Sequence, residues 1–265
     1  MSSAPSPAAV LPATPSQPTA HRLVAIASGK GGVGKTWLAI TIAHALARRG
    51  HRTLLFDGDL GLANVDIQLG LMPARDLGGV VTGRLTLAQA TTPYPAGGFD
   101  IVAGRSGCGR LAGVPQGRLA TLGQQLTAAA AEYDHVLLDL GAGLERTVRQ
   151  FAQLAGTCVV VTTDEPTALT DAYAFIKMAQ MDGTPLSIRI VVNMASSVRD
   201  GERTFGALSR ACDSFLKMSP ELLGIVRRDT KVREAIRCQT PLLTRFPTSD
   251  AAADVEGIAA RIAVQ

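Results

Sequence analysis

Residues 28–36 read Ser-Gly-Lys-Gly-Gly-Val-Gly-Lys-Thr, and this stretch limits the possible folds more than any other. From Gly29 to Thr36 the spacing is Gly-x4-Gly-Lys-Thr, the phosphate-binding loop pattern. A polyphosphate needs many donors at close range. Glycines let the main chain approach an anion with no Cβ in the way. Successive N–H groups form a nest around it, and the positive end of the following helix adds to the field. In this pattern Gly29, Gly31, Gly32, Val33 and Gly34 supply the cradle. Lys35 reaches the β- and γ-phosphates, and the Thr36 hydroxyl holds Mg²⁺. The pattern functions between a strand and a helix, and the flanks supply both. The apolar run 23–27 suits a buried parallel strand, and residues 37–49 read as a helix stopped by Gly50. Only five of the 26 basic residues are lysines, and two of those five lie inside the loop.

Strands and helices alternate over the rest of the chain. Strands are predicted at 53–57, 99–103, 135–139, 158–162, 187–192 and 222–226. Helices are predicted at 118–132, 147–154, 167–181, 201–217 and 250–264. That order implies an α/β fold, a mostly parallel sheet with helices on both faces and its ligand at the strand carboxyl ends. Residues 1–20, rich in Pro, Ala and Ser and without a charged side chain, read as a disordered tail. Residues 21–265 read as a single domain. The hydrophobic content of 46% allows a sizeable core, and aromatics at 4% leave it to Leu, Val, Ile and Ala. A net charge of +4 does not by itself point to nucleic acid. The four cysteines, Cys108, Cys158, Cys212 and Cys238, form no Cys-x-x-Cys pair, which argues against a zinc site, a disulfide framework or a cluster carrier. No run approaches the length of a transmembrane helix. A cytoplasmic protein fits these features.

Two strand ends carry acids. The strand at 53–57 ends in Asp57-Gly58-Asp59, and the strand at 135–139 ends in Asp139 followed by Leu140-Gly141-Ala142-Gly143. Carboxylates there can organise Mg²⁺ or orient a water for attack on a γ-phosphate.

Lys30 narrows the reading. The run Lys-Gly-Gly-Val-Gly-Lys-Thr at 30–36 resembles the deviant phosphate loop of the MinD/ParA ATPases. The resemblance spans roughly His21 to Pro247. It implies that two protomers sandwich two ATP molecules with Mg²⁺, and that Lys30 reaches across to the partner's nucleotide as a charge clamp. By the same resemblance, Asp59 positions the hydrolytic water, Asp57 and Asp139 join Thr36 at the metal, and Gly143 offers its N–H near the γ-phosphate. Asn193 reads the adenine, and the loop carrying Arg227 and Asp229 packs on the base. Relatives have Pro-Glu or Pro-Gln where this chain has Arg227-Arg228. Two stretches, Gly-Leu-Ala-Asn-Val-Asp at 61–66 and Glu-Pro-Thr-x-x-Thr-Asp-Ala-Tyr-x-x-Ile-Lys at 165–177, are similar to the flagellar branch of the family, FlhG/FleN.

The chain departs from its relatives in places. Trp37 stands where they carry Thr, Ser or Asn, so only its backbone N–H meets the α-phosphate, and Thr41 replaces an Asn one turn later. The Asp-Gln-Ala-x-x-Leu-Arg motif that engages the GTPase FlhF is not found, which weighs against that partnership. In the last helix Asp254 and Glu256 offset Arg261, so it is expected to dock on the core, with membrane binding weak or absent. The resemblance thus implies an ATP-dependent dimerisation switch that hydrolyses ATP and recruits a flagellar or other positional partner. Any membrane or polar association would be transient. A MinD-type septum-site regulator and a ParA-type partition ATPase are the alternatives. The latter would bind nonspecific DNA through Arg199, Arg203 and Arg210 and through the basic run from Arg227 to Arg237. A nucleotide-binding scaffold without turnover is a further one.

Overall fold

A computed structural model describes residues 22–59, 63–104, 114–182 and 186–264. The expected tail, Cys108 and residues 60–62 of the stretch 57–66 lie outside the described residues.

One eight-stranded sheet organises the chain, in the order β3-β4-β2-β5-β1-β6-β7-β8. The central strand β1 (Leu23–Ser28) pairs in parallel with β5 (His135–Ala142) and β6 (Thr157–Thr162). Outward on one side lie β2 (Thr53–Gly58), β4 (Phe99–Val102) and the edge strand β3 (Thr92–Tyr94). Outward on the other lie β7 (Ser187–Ala195) and β8 (Glu221–Arg227). Among the described residues only the β3–β4 pair is antiparallel. The sequence reading did not include β3: three residues with Pro93 in the middle carry almost no strand signal, and an edge position is where a sheet tolerates proline.

Alternation within β1 shows why the sheet is covered on both faces. Leu23, Ala25 and Ala27 join one core cluster, with Leu119, Leu122 and Leu126 of α5 (Gln116–Glu132), Phe151 of α6 (Arg146–Ala155), Phe175 of α7 (Pro166–Met181) and Leu208 of α8 (Val198–Leu216). Val24 and Ile26 join the other, with Leu38, Ile42 and Leu46 of α1 (Lys35–Arg48) and Val255, Ile258 and Ile262 of α11 (Asp250–Ala263). Side chains of a strand point to opposite faces in turn, so an all-apolar strand requires helices above and below.

Among the described residues there are also five short helices: α2 (Val65–Leu69), α3 (Leu77–Val81), α4 (Leu87–Ala90), α9 (Thr230–Arg237) and α10 (Leu242–Arg245). None was expected, because segments of four to eight residues are too short to show a helical period. The predicted strand 135–139 continues to Ala142, which pairs with Ser28. The last helix docks as expected: Val255, Ile258, Ala259 and Ile262 are buried. Among the described residues no helix is long and apolar enough to cross a membrane.

Candidate nucleotide site

The phosphate loop leaves the carboxyl end of β1 and enters α1, with Gly34 at the helix N-cap at φ 90°. An L-residue pays for that left-handed conformation, and glycine does not. Gly34 is also hemmed in: a Cβ there would lie 2.4 Å from Asn193 Nδ2. At the other end of the loop, a Cβ on Gly29 would lie 2.0 Å from the Asp171 carbonyl oxygen of α7. Gly29 therefore serves helix packing as well as approach to an anion. Gly31 has open space around it. Lys35 and Trp37 are buried at the start of α1.

Strand register brings the acids together. Asp57 of β2 is the direct partner of Asp139 of β5, which is also opposite Ile26 of β1. Both carboxyls are buried. Asp57 accepts from the Asp59 and Val65 backbone N–H groups at 3.3 and 3.2 Å. Burial, and then the Asp139 charge, push Asp57 up to about 8. Burial also raises Asp139, to about 6, against the opposing effects of Lys35 and of a hydrogen bond with the Thr36 hydroxyl. Asp59 stands close by: a Cβ on Gly141 would lie 3.6 Å from its carboxyl carbon. Thus Lys35, Thr36, Asp57, Asp59 and Asp139, all expected at the site, meet at the carboxyl edge of three neighbouring strands.

An adenosine nucleotide with Mg²⁺ fits this donor set. Asp139 Oδ1 is buried and accepts no hydrogen bond among the described residues. An Mg²⁺-bound water would satisfy it, as Mg²⁺ keeps several waters and takes few protein carboxylates. Beside Gly34 opens a cavity of about 360 Å³, within the range of small-molecule sites. Asn193, Met194, Val226, Arg227, Asp229 and Trp37 are among its lining residues.

Four of the expected residues make bonds within the protein. The Gly143 N–H donates to the Ser28 carbonyl at 2.9 Å, so in this state it is not available to a phosphate. The β1–β5 pairing that lengthens the strand to Ala142 brings the two together. Asn193 uses its amide inside the protein: Nδ2 donates to the Val33 carbonyl at 2.8 Å, and Oδ1 accepts from the Met194 N–H at 2.9 Å. The bond to Val33 braces the phosphate loop and leaves one amide hydrogen for a base. Arg227 lines the cavity but extends its guanidinium to Asp250 and Asp254 of α11. The Asp229 carboxylate caps α9 through the Lys231 N–H and also accepts from the Ala251 N–H. These two charged groups hold the cavity wall in place. Short-range sequence gives no sign of it, because the partners on α11 lie more than twenty residues away.

Lys30 is held at the start of α7. Its Nζ lies 2.8 Å from both Glu165 Oε2 and Thr167 Oγ1, and the lysine keeps the Glu165 carboxyl below its usual range. The Glu-Pro-Thr run at 165–167 stands out in the sequence as a helix entry, but its engagement of Lys30 does not. Opposite charge in the loop and at a helix entry was the available signal.

A family model described as the CobQ/CobB/MinD/ParA nucleotide binding domain matches residues 24–242. The chain is 36% identical over 241 residues to the antiactivator FleN of Pseudomonas aeruginosa, covering 91% of this chain and 86% of that one. It is 26% identical over 230 residues to the flagellum site-determining protein YlxH of Helicobacter pylori, covering 86% and 77%. Among solved structures, the septum site-determining protein MinD of Pyrococcus horikoshii, complexed with Mg-ADP, matches with a TM-score of 0.74 at 24% identity, covering 91% of this chain and 95% of that chain. At that identity the match speaks to the fold.

Proposed function

Because the chain belongs to the CobQ/CobB/MinD/ParA family of nucleotide-binding domains, we propose that it is an ATP-hydrolysing dimerisation switch, acting in the cytoplasm on flagellar number or placement through a recruited partner. One observation carries the reading. Lys35, Thr36 and the three carboxylates of Asp57, Asp59 and Asp139 form one site, while Lys30 is withheld from it by Glu165 and Thr167 of the same protomer.

In this mechanism Mg²⁺ supplies charge neutralisation on the transferred phosphoryl group when bound. Thr36, Asp57 and Asp139 hold it, and Lys35 binds the phosphates within its own protomer. Asp59 orients the attacking water and accepts its proton. Lys30 leaves Glu165 as the dimer forms and stabilises the charge developing at the partner's site. Gly143 must exchange its bond with the Ser28 carbonyl for a phosphate, which gives the 140–143 segment two arrangements that γ-phosphate loss can toggle. The flagellar assignment is supported by likeness to FleN and YlxH. The DNA-partition alternative is supported less well, because Arg203, Arg227 and Lys231 all have acidic partners.

The test mixes two variants. Lys30→Ala should bind nucleotide yet neither dimerise nor hydrolyse. Asp59→Ala should bind ATP, lose turnover by ~10²–10⁴-fold and accumulate as dimer. Titrating Asp59→Ala protomers into Lys30→Ala protomers should restore turnover, because a mixed dimer has one site with its own Asp59 and a lysine from the partner. No recovery with mixed dimers present by crosslinking would defeat the trans role. An unchanged monomer mass for Asp59→Ala at saturating ATP and Mg²⁺, by light scattering, would defeat the switch itself.

A further inference from the structure

The C-terminal helix makes a connection that reaches the cavity. Asp254 lies mid-helix with its side chain 13% exposed and accepts three hydrogen bonds from one residue. Its Oδ2 takes the Arg227 backbone N–H at 2.9 Å and Arg227 Nε at 2.9 Å, and its Oδ1 takes Arg227 Nη2 at 2.8 Å. The paired guanidinium–carboxylate contact is the geometrically selective form of such an interaction. Asp250 adds a bond to Arg227 Nη1 at 2.8 Å. Two residues on, the Asp229 carboxylate spans the Lys231 N–H of α9 and the Ala251 N–H of α11, at 2.8 and 3.3 Å. Residues 226–230 line the cavity together with Gly34 and Trp37, and as a continuous stretch they form one wall of it. That wall is therefore fastened to α11 at both Arg227 and Asp229. The same helix grips α1, which begins at the phosphate loop: Glu256 pairs with Arg48 at 3.1 Å and Arg49 at 3.4 Å.

We propose that Asp254 is a positioning residue: acting through Arg227, it sets the cavity wall and so governs how tightly the base and ribose of an adenosine nucleotide are held, separately from the grip on the phosphates. The inference rests on the nucleotide reading above. Its logic is spatial. The phosphate cradle is built from β1 and α1, whereas the wall at 226–230 follows β8 and depends on α11 for its placement. Removing the carboxylate takes two bonds from a half-buried guanidinium and one from the backbone N–H of Arg227, leaving the guanidinium only its bonds to Asp250. Toward α11 the wall then keeps only its bonds through Asp250 and Asp229 and is held less firmly.

The experiment compares ADP with inorganic tripolyphosphate, which has the phosphates and no base. Binding is followed by calorimetry and by the fluorescence of Trp37, the one tryptophan of the chain and part of the cavity lining. For Asp254→Ala, ADP affinity should fall about tenfold, the loss expected for one charged hydrogen-bonded contact, while tripolyphosphate affinity stays within about twofold. In an Arg227→Gln background, Asp254→Ala should cost less than in wild type, because only the bond from the backbone N–H of residue 227 is left to lose. A fall in both ligands together, or unchanged ADP binding, would overturn the inference. If Asp254→Ala does not fold, the exposed outer partner supplies the test: Asp250→Asn should give a smaller loss confined to ADP, and an unchanged ratio of the two affinities would overturn the inference. Wild-type protein that binds neither ligand would instead overturn the nucleotide reading on which it rests.

Discussion

Gly34→Ala separates two demands that the loop makes on one residue. The first is conformational. At φ 90° an L-residue costs roughly 1–2 kcal/mol. The second is spatial. The new Cβ would stand 2.4 Å from Asn193 Nδ2, about 1 Å inside ordinary contact, so the amide must turn away. Turning breaks its 2.8 Å bond to the Val33 carbonyl, and both residues are buried. An unsatisfied buried polar group costs about 1–3 kcal/mol. The two add to roughly 2–5 kcal/mol, a large share of the stability of a domain. Asn193→Ala alone should cost about 1–3 kcal/mol, by leaving the Val33 carbonyl and the Met194 N–H unpaired. The double variant should cost less than the sum by about 1 kcal/mol or more, because the added methyl then has room and only the backbone penalty remains. Urea unfolding of the nucleotide-free proteins, with wild type and Gly31→Ala as references, measures all four terms. Gly31→Ala meets nothing within 4 Å and should stay within about 0.5 kcal/mol of wild type. If Gly34→Ala and Asn193→Ala add without coupling, the contact that the spatial argument depends on is not what holds the loop.

Stability in the absence of Mg²⁺ should fall as pH rises from about 6 to about 9. The folded state keeps protons on Asp57 (about 8) and Asp139 (about 6) that the unfolded chain has already released, so rising pH favours unfolding. Between about 4 and 6.5 His44 and His135, lowered by burial to about 4, oppose this trend, because the unfolded histidines take up protons first as pH drops, and two histidines nearly offset two carboxyls there. Thermal melts with a chelator should show a plateau below about 6.5 and a fall above it, and Asp57→Asn should flatten that fall; an equal alkaline slope in that variant would refute the assignment. Glu165→Gln should lower the protein concentration at which the ATP-bound dimer forms, since it loosens Lys30 from its own protomer; sedimentation in an Asp59→Ala background measures this, and weaker dimerisation would show that Glu165 assists the dimer instead. Anionic vesicles should retain little protein even with ATP, because the apolar face of α11 is buried against α1 and β8; strong ATP-dependent co-sedimentation would mean that this helix detaches.

Much of the site could be read along the chain because its chemistry is local. The phosphate loop is nine consecutive residues, and a main chain that must wrap an anion leaves its mark as glycines at fixed spacing. Asp57, Asp59 and Asp139 were legible as acids closing apolar runs, and an alternating strand–helix order already implies that such ends gather on one edge. The same apolar runs, each long enough for a strand, settled the α/β class and the covering of both faces.

Tertiary structure decided what depends on distant partners. Nothing near Arg227 shows that its charge is taken up by Asp250 and Asp254, so an arginine expected on the base became a strut to α11. Asn193 was legible as a polar strand end, but only the approach of β7 to the loop turns its amide toward the Val33 carbonyl. Lys30 was legible as a special lysine, and only the packing of α7 against Gly29 places Glu165 and Thr167 within its reach. Local sequence specifies backbone shape and strand ends, since those follow from a residue and its neighbours. It does not specify which donor meets which acceptor across the sheet, because that is fixed when helices and strands far apart in the chain pack together.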